Sequence, residues 1–145
     1  MISNDIQYRN TKAWLARFEA SAAELEASAG SKRTRLQQLQ IDAANAQADD
    51  LRAELADYEA LRSGEIRTFE AASLRGLADA LIKARVARGW TQRRLADELG
   101  IAEQQVQRYE ATGYSAASLA RLADIADALQ ITITETITLT KTDAA

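Results

Sequence analysis

Proline is absent from all 145 residues, so nothing in the chain forces a helix to break by losing a backbone donor. The six glycines, at 30, 64, 76, 89, 100 and 113, are isolated, and breaks fall to Gly30, Gly64, Gly89 and Gly100. The spaces between them are rich in Ala, Leu, Glu, Gln and Arg, the strongest helix formers. The expected fold class is therefore mainly α. It comprises an N-terminal antiparallel helical hairpin, a helix-turn-helix domain and a C-terminal β-strand.

Residues 1–62 read as a helical hairpin, coiled-coil-like in pattern. Gly30, in Ala27-Ser-Ala-Gly-Ser31, ends the first helix. Trp14, Phe18 and Leu25 are expected on one of its faces. In the second helix Ile41, Ala44, Ala48, Leu51, Leu55 and Tyr58 alternate steps of three and four, a coiled-coil-like stripe. The short loop between them favours an antiparallel pair. The second helix is expected to be about seven residues longer, roughly 10 Å. Its overhanging stripe then needs cover, from the next domain or from a second subunit.

Residues 63–73 form a linker in which Ile66 to Phe69 suggests a short strand. Residues 74–130 return to helical periodicity with fine punctuation. Leu74, Leu77 and Leu81 start one helix, which stops at Gly89. Thr91 is placed to cap a second from Gln92 to Leu99, and Gly100 ends it. A third runs from Glu103 to Ala111 and a fourth from Ser118 to Leu129. In 131–145, strand and tail, the period changes to two. Ile131, Ile133, Ile137 and Leu139 alternate with the threonines 132, 134, 136, 138 and 140, and β-branched residues dominate. A strand at 131–140 is expected. Because a lone strand cannot satisfy its own backbone, pairing with the same strand of a second copy is expected, the alternative being a strand folded back onto its own domain, where residues 65–69 are the candidate partner.

Composition narrows the chemistry. The chain has no His and no Cys, which removes the commonest general base, the thiol nucleophile and the ordinary metal ligands. No glycine cluster resembles a phosphate-cradling loop. No catalytic residue, metal site or cofactor is expected, and the chain reads as a non-enzyme. No apolar run approaches the roughly 18 residues of a membrane helix. The polar opening residues resemble no signal peptide, so a cytoplasmic location is expected. The overall charge is −3, yet residues 74–121 carry eight basic and five acidic side chains. The positive field is local, as a DNA-binding face requires.

The segment Thr91 to Glu110 holds two short helices about a glycine turn. Leu95, Ala96, Leu99, Ile101, Val106 and Tyr109 supply a buried seam, and Ala96 is small where the second helix crosses. The outward residues of the second helix are Glu103, Gln104, Gln105, Gln107 and Arg108. Carboxamides and a guanidinium suit the base edges of the DNA major groove. Arg85, Gly89-Trp-Thr-Gln92, Leu95-Ala96, Leu99-Gly100, Val106 and Tyr109-Glu110 fall at the spacing of the XRE family. That family contains the helix-turn-helix proteins that include lambda-type phage repressors and Cro, and residues 74–130 resemble it.

The resemblance implies a dimeric, sequence-specific regulator of transcription that binds a double-stranded DNA operator with residues 103–111 in the major groove. Gln104 and Arg108 would face bases, and Gln92 and Gln105 phosphates. Arg85 and Glu110 match a structural salt bridge of the family. Glu103 stands at a base-reading position and would accept from cytosine N4, or else only favour the helix dipole. Arg93 is a phosphate candidate. Ala102 occupies the family's usual capping position without a capping side chain, and Ala-Thr-Gly-Tyr-Ser replaces the usual Asn-Gly turn after Glu110. Homodimerisation is expected through the strand 131–140, the hairpin, or both. Two further readings are open at this point. One is an antitoxin that represses its own operon and holds a toxin protein. The other is an interaction module that has lost DNA binding.

Overall fold

The computed structural model describes residues 1–141. Six helices follow one another: α1 (Asp5–Ala29), α2 (Arg35–Arg62), α3 (Leu74–Ala87), α4 (Gln92–Leu99), α5 (Glu103–Ala111) and α6 (Leu119–Ala128). Five of the six start on a side-chain cap. Asn4, Thr34, Ser73, Thr91 and Ser118 each accept a backbone N–H from the first turn, which satisfies a donor the helix itself leaves open. At Thr34 the bond is reciprocal, because Gln37 also returns its side chain to the Thr34 N–H.

Helices α1 and α2 run antiparallel. Asp5 pairs with Arg62, Tyr8 with Glu59 and Glu19 with Arg52, so one index rises as the other falls. The face of α1 that packs is Thr11, Leu15, Phe18, Ala22 and Leu25, buried or half-buried. Trp14 lies off that stripe at 56% exposure, contrary to the expectation. Small Thr11 and Ala22, both buried, let the helices approach where a tryptophan would hold them apart. On α2, Ile41, Ala48, Leu55, Tyr58 and Leu61 are buried. The helices have 25 and 28 residues, so the overhang is three residues rather than seven. The lower end of α2 is covered from within the chain. Leu55, Tyr58 and Leu61 share an apolar cluster with Ile2 and with Val86 of α3, and Phe69 packs against it. The turn after α2 also approaches α3 closely. A Cβ at Gly64, whose φ is +75°, would stand 3.4 Å from the Ala87 carbonyl oxygen.

Helices α3 to α6 enclose a second core of Ala78, Leu81, Ile82, Leu95, Ala96, Val106, Tyr114, Ile125, Ala126 and Leu129. After α6 the chain reverses at Gln130, which takes a left-handed φ of 53°. The Ile131 N–H then bonds back to the Ala126 carbonyl at 2.9 Å, a helix-closing pattern of the Schellman type.

Beyond that bond the expected fold class needs correction. Residues 131–141 form no β-strand, and neither do residues 65–71; among the described residues there is no sheet. The period-two pattern at 131–140 expresses a side-chain preference for extended backbone. A strand exists only when a neighbour supplies its hydrogen bonds. The 131–137 and 67–72 segments line one groove along α3 but join in no ladder. The last part of the 131–145 segment, residues 142–145, lies outside the described residues.

Candidate nucleic-acid interface

The geometry of α4 and α5 follows from their ends. Thr91 accepts the Arg94 N–H at 3.0 Å and starts α4. Leu95 and Ala96 are buried on its inner face. Gly100 ends the helix in the left-handed region, φ 65° and ψ 33°, where a side chain would be strained. The Ile101 N–H bonds back to the Ala96 carbonyl at 3.0 Å, and two residues later α5 begins. Ala102 provides no side-chain cap. Glu103 in the first turn instead offers a carboxylate to the helix N-terminus.

On α5, Val106 and Glu110 are buried and Tyr109 is half-buried. Glu103, Gln104, Gln105, Gln107 and Arg108 are exposed together. Their states differ. The Gln105 amide donates to the Tyr109 hydroxyl at 2.9 Å. The Gln107 amide lies 3.5 Å from the Glu103 carboxylate, at the outer limit of a hydrogen bond. Gln104 and Arg108, four residues apart, make no side-chain hydrogen bond among the described residues and stand open to a partner. The arginines of α4 also separate. Arg94 lies over the Trp90 ring, 5.1 Å from its centroid, and pairs with Glu98 at 2.7 Å. Arg93 is exposed and has neither tie.

Behind this face sits a buried polar knot. Arg85 is 2% exposed and Glu110 8%. The Arg85 guanidinium donates through Nε and Nη2 to the two Glu110 oxygens at 2.5 and 2.8 Å, a bidentate pairing. Its Nη1 donates to the Trp90 carbonyl at 2.7 Å. Its Nη2 also donates to the Ser3 carbonyl at 2.7 Å. Glu110 Oε2 accepts in addition from Gln92 Nε2 at 2.7 Å. Each of the three guanidinium nitrogens is thus directed at an acceptor, and no buried side-chain polar atom among the described residues is left without a partner.

The bonds to Ser3 and Trp90 have no signal in the sequence. They use backbone carbonyls, and Ser3 lies 82 positions from Arg85. Nor does composition indicate that Gln92 is held by Glu110.

The loop after α5 packs back on the last turn of that helix. Gly113 and Tyr114 both adopt a left-handed φ of 58°, costly for a tyrosine. The ring holds the conformation in place. It is buried, stacks on Tyr109 with centroids 5.8 Å apart, and the Tyr114 N–H bonds to the Tyr109 carbonyl at 2.7 Å. Burial, reinforced by the Glu110 charge, pushes the Tyr114 hydroxyl well above its ordinary pKa, so it remains neutral.

No cluster of carboxylates with metal-binding geometry occurs among the described residues, and no helix there is long and apolar enough to cross a membrane. A family model described as helix-turn-helix matches residues 81–135, from the middle of α3 through α6 and into the segment beyond it. No curated protein and no solved structure matches the chain.

Proposed function

We propose, from the match of residues 81–135 to a helix-turn-helix family model and their resemblance to the XRE family of DNA-binding regulators, that this chain recognises a specific double-stranded operator through α5. The observation that carries the reading is the exposed face of α5, where Gln104 and Arg108 stand uncommitted and Glu103 and Gln107 line a cleft with Gln92 at the start of α4. Gln104 and Arg108, with Glu103 at the first turn, read base edges in the major groove. Gln92, Arg93 and Gln105 bind phosphates. The Gln92 amide keeps one hydrogen for this role while the other is held by Glu110. The helix N-terminus beside it favours an anion. In this reading residues 74–130 recognise DNA, the chain works in the cytoplasm as a repressor, and residues 1–62 support the reading domain.

Selection of bound sequences from random DNA by the full chain tests the proposal. One enriched motif is expected, and none would overturn it. Arg108→Ala should then weaken the selected site by about 1–3 kcal/mol and relax preference at one base position. Arg93→Ala should weaken all sequences alike and reduce the slope of log affinity against log salt by about one.

The same reading has two copies bound together, since two recognition helices about 34 Å apart match a two-fold operator. The supporting surface is apolar. Leu74 and Leu119 are 74% and 76% exposed, and Leu119 lines a groove with Leu77, Leu122, Ala123 and Ile133, where Glu135 is the one charged residue. Such a face in water favours association. Leu119→Glu should convert a dimer to a monomer in sedimentation. An unchanged mass would place the contact elsewhere.

A further inference from the structure

The buried Arg85 joins three places that are distant in sequence. Its pairing partner Glu110 is buried in the last turn of α5. The Trp90 carbonyl it holds belongs to the residue just before the Thr91 cap of α4. Its third acceptor, the Ser3 carbonyl, comes from the short segment ahead of α1. That segment is well anchored. Ile2 is 4% exposed and fills the cluster of Leu55, Tyr58, Leu61 and Val86. The Ser3 N–H and hydroxyl both donate to the Gln7 side chain, at 2.8 and 3.0 Å, and Asn4 caps the same helix turn by accepting the Gln7 N–H. Beyond it, Asn4, Asp5 and Ile6 line a cleft together with Gln92, Glu103 and Gln107. The segment therefore covers one side of the knot, and the residues that follow it reach the cleft beside α5.

We propose that residues 1–3 are a positioning segment for DNA binding: the Ser3 carbonyl, locked by Ile2, holds Arg85 and Glu110 in the arrangement that fixes the Gln92 side chain at the start of α4. The physical reason is acceptor balance. A buried guanidinium cannot leave an N–H without a partner cheaply. If the segment undocks, Nη2 loses one of its two acceptors and water reaches the ion pair. Arg85 then shifts toward new partners, Glu110 follows it, and Gln92 loses the carboxylate that orients its amide. Gln92 acts on DNA, whereas Ile2 and Ser3 act only through it. The inference rests on the reading of Gln92 as a phosphate ligand.

Two measurements on the full chain test it. The first needs no DNA. In Ile2→Ala, the side-chain amide resonance of Gln92 should move toward that of a solvated glutamine, and in Ile2→Val it should stay in place. An unmoved resonance in Ile2→Ala breaks the link and overturns the proposal. The second is a double-mutant cycle on the selected operator. Ile2→Ala should weaken binding about tenfold in the parent but less than about twofold when Gln92 is already alanine, as coupled residues of one network do. Equal losses in the two backgrounds would show a merely structural role and overturn the proposal. Ile2→Ala is chosen over a charged residue because it removes packing without burying a charge, and Ile2→Val should restore binding. If the parent chain selects no DNA while the Gln92 resonance still moves, the DNA reading fails and the link from Ile2 to Gln92 stands. The proposed purpose of that link then falls with the DNA reading.

Discussion

The hairpin α1–α2 and the four-helix unit α3–α6 are both helical, yet they are held together by different physics. The hairpin helices have 25 and 28 residues, long enough to draw on intrinsic propensity and their caps. Their contact face is one row of side chains on each helix, Thr11, Leu15, Phe18, Ala22 and Leu25 against Ile41, Ala48, Leu55, Tyr58 and Leu61, and their ion pairs lie in solvent. Arg52 is half exposed in its pairs with Glu19 and Asp49. Helices α4, α5 and α6 have only eight to ten residues, too short to persist alone in water. Their stability must come from packing. Of the largest fully buried side chains, Leu81, Leu95, Val106, Ile125, Leu129 and Arg85 lie in this unit and only Ile41 in the hairpin. The one ion pair buried at both ends among the described residues, Arg85–Glu110, is here as well. The comparison teaches that charge means opposite things in the two regions. In the hairpin it stays in solvent, whereas in the four-helix unit one pair, Arg85–Glu110, is buried and fixes geometry beside exposed pairs such as Arg94–Glu98.

That contrast can be broken in three places. The largest effect should come from Glu110→Ala, which leaves the Arg85 guanidinium buried without its carboxylate. A loss of about 3–5 kcal/mol is expected from the denaturant midpoint. A loss below about 1 kcal/mol would show that water screens the pair and that it does not differ from those of the hairpin.

An intermediate effect should follow Thr34→Ala at the start of α2. The reciprocal cap there satisfies two backbone groups, and its removal should cost about 1 kcal/mol. A cost as large as that of Glu110→Ala would mean the hairpin depends on single polar contacts as much as the reading unit does. The smallest effect should be that of Glu19→Ala, at most about 1 kcal/mol and reduced further by added salt. A larger, salt-independent cost would place this exposed pair in the same class as the buried one.

The helices of the reading unit were legible because their signals are local. Thr91 caps, Gly100 takes a left-handed turn, and Leu95, Ala96 and Val106 recur at helical spacing. Those features placed α4 and α5 at Gln92–Leu99 and Glu103–Ala111. Two misreadings have a common origin. Trp14 is expected on the same face as Phe18 and Leu25, yet it stays 56% exposed while those two are half-buried and small Thr11 and Ala22 meet α2. Residues 131–140 looked like a strand because they alternate, yet alternation cannot provide the partner that a strand needs. In both cases a side-chain property was taken for a contact.

Of the candidate site, the exposed row Glu103, Gln104, Gln105, Gln107 and Arg108 could be read from helical spacing alone. Which of them are already occupied could not. Gln105 is held by Tyr109, while Gln104 and Arg108 are open, and Arg94 is drawn over Trp90 while Arg93 is not.

By itself, the sequence determined a helical chain with no proline to interrupt it, glycines where its helices end, and a helix-turn-helix with a polar outer row. These follow from backbone sterics, capping and periodicity, which act over a few residues. Only the tertiary structure decided that Ser3, Trp90, Gln92 and Glu110 converge on Arg85 and that the final segment runs along α3 without becoming a strand. A buried guanidinium takes whatever acceptors the packed chain brings to it, and a strand waits for a neighbour. Neither condition is written in the residues next to it.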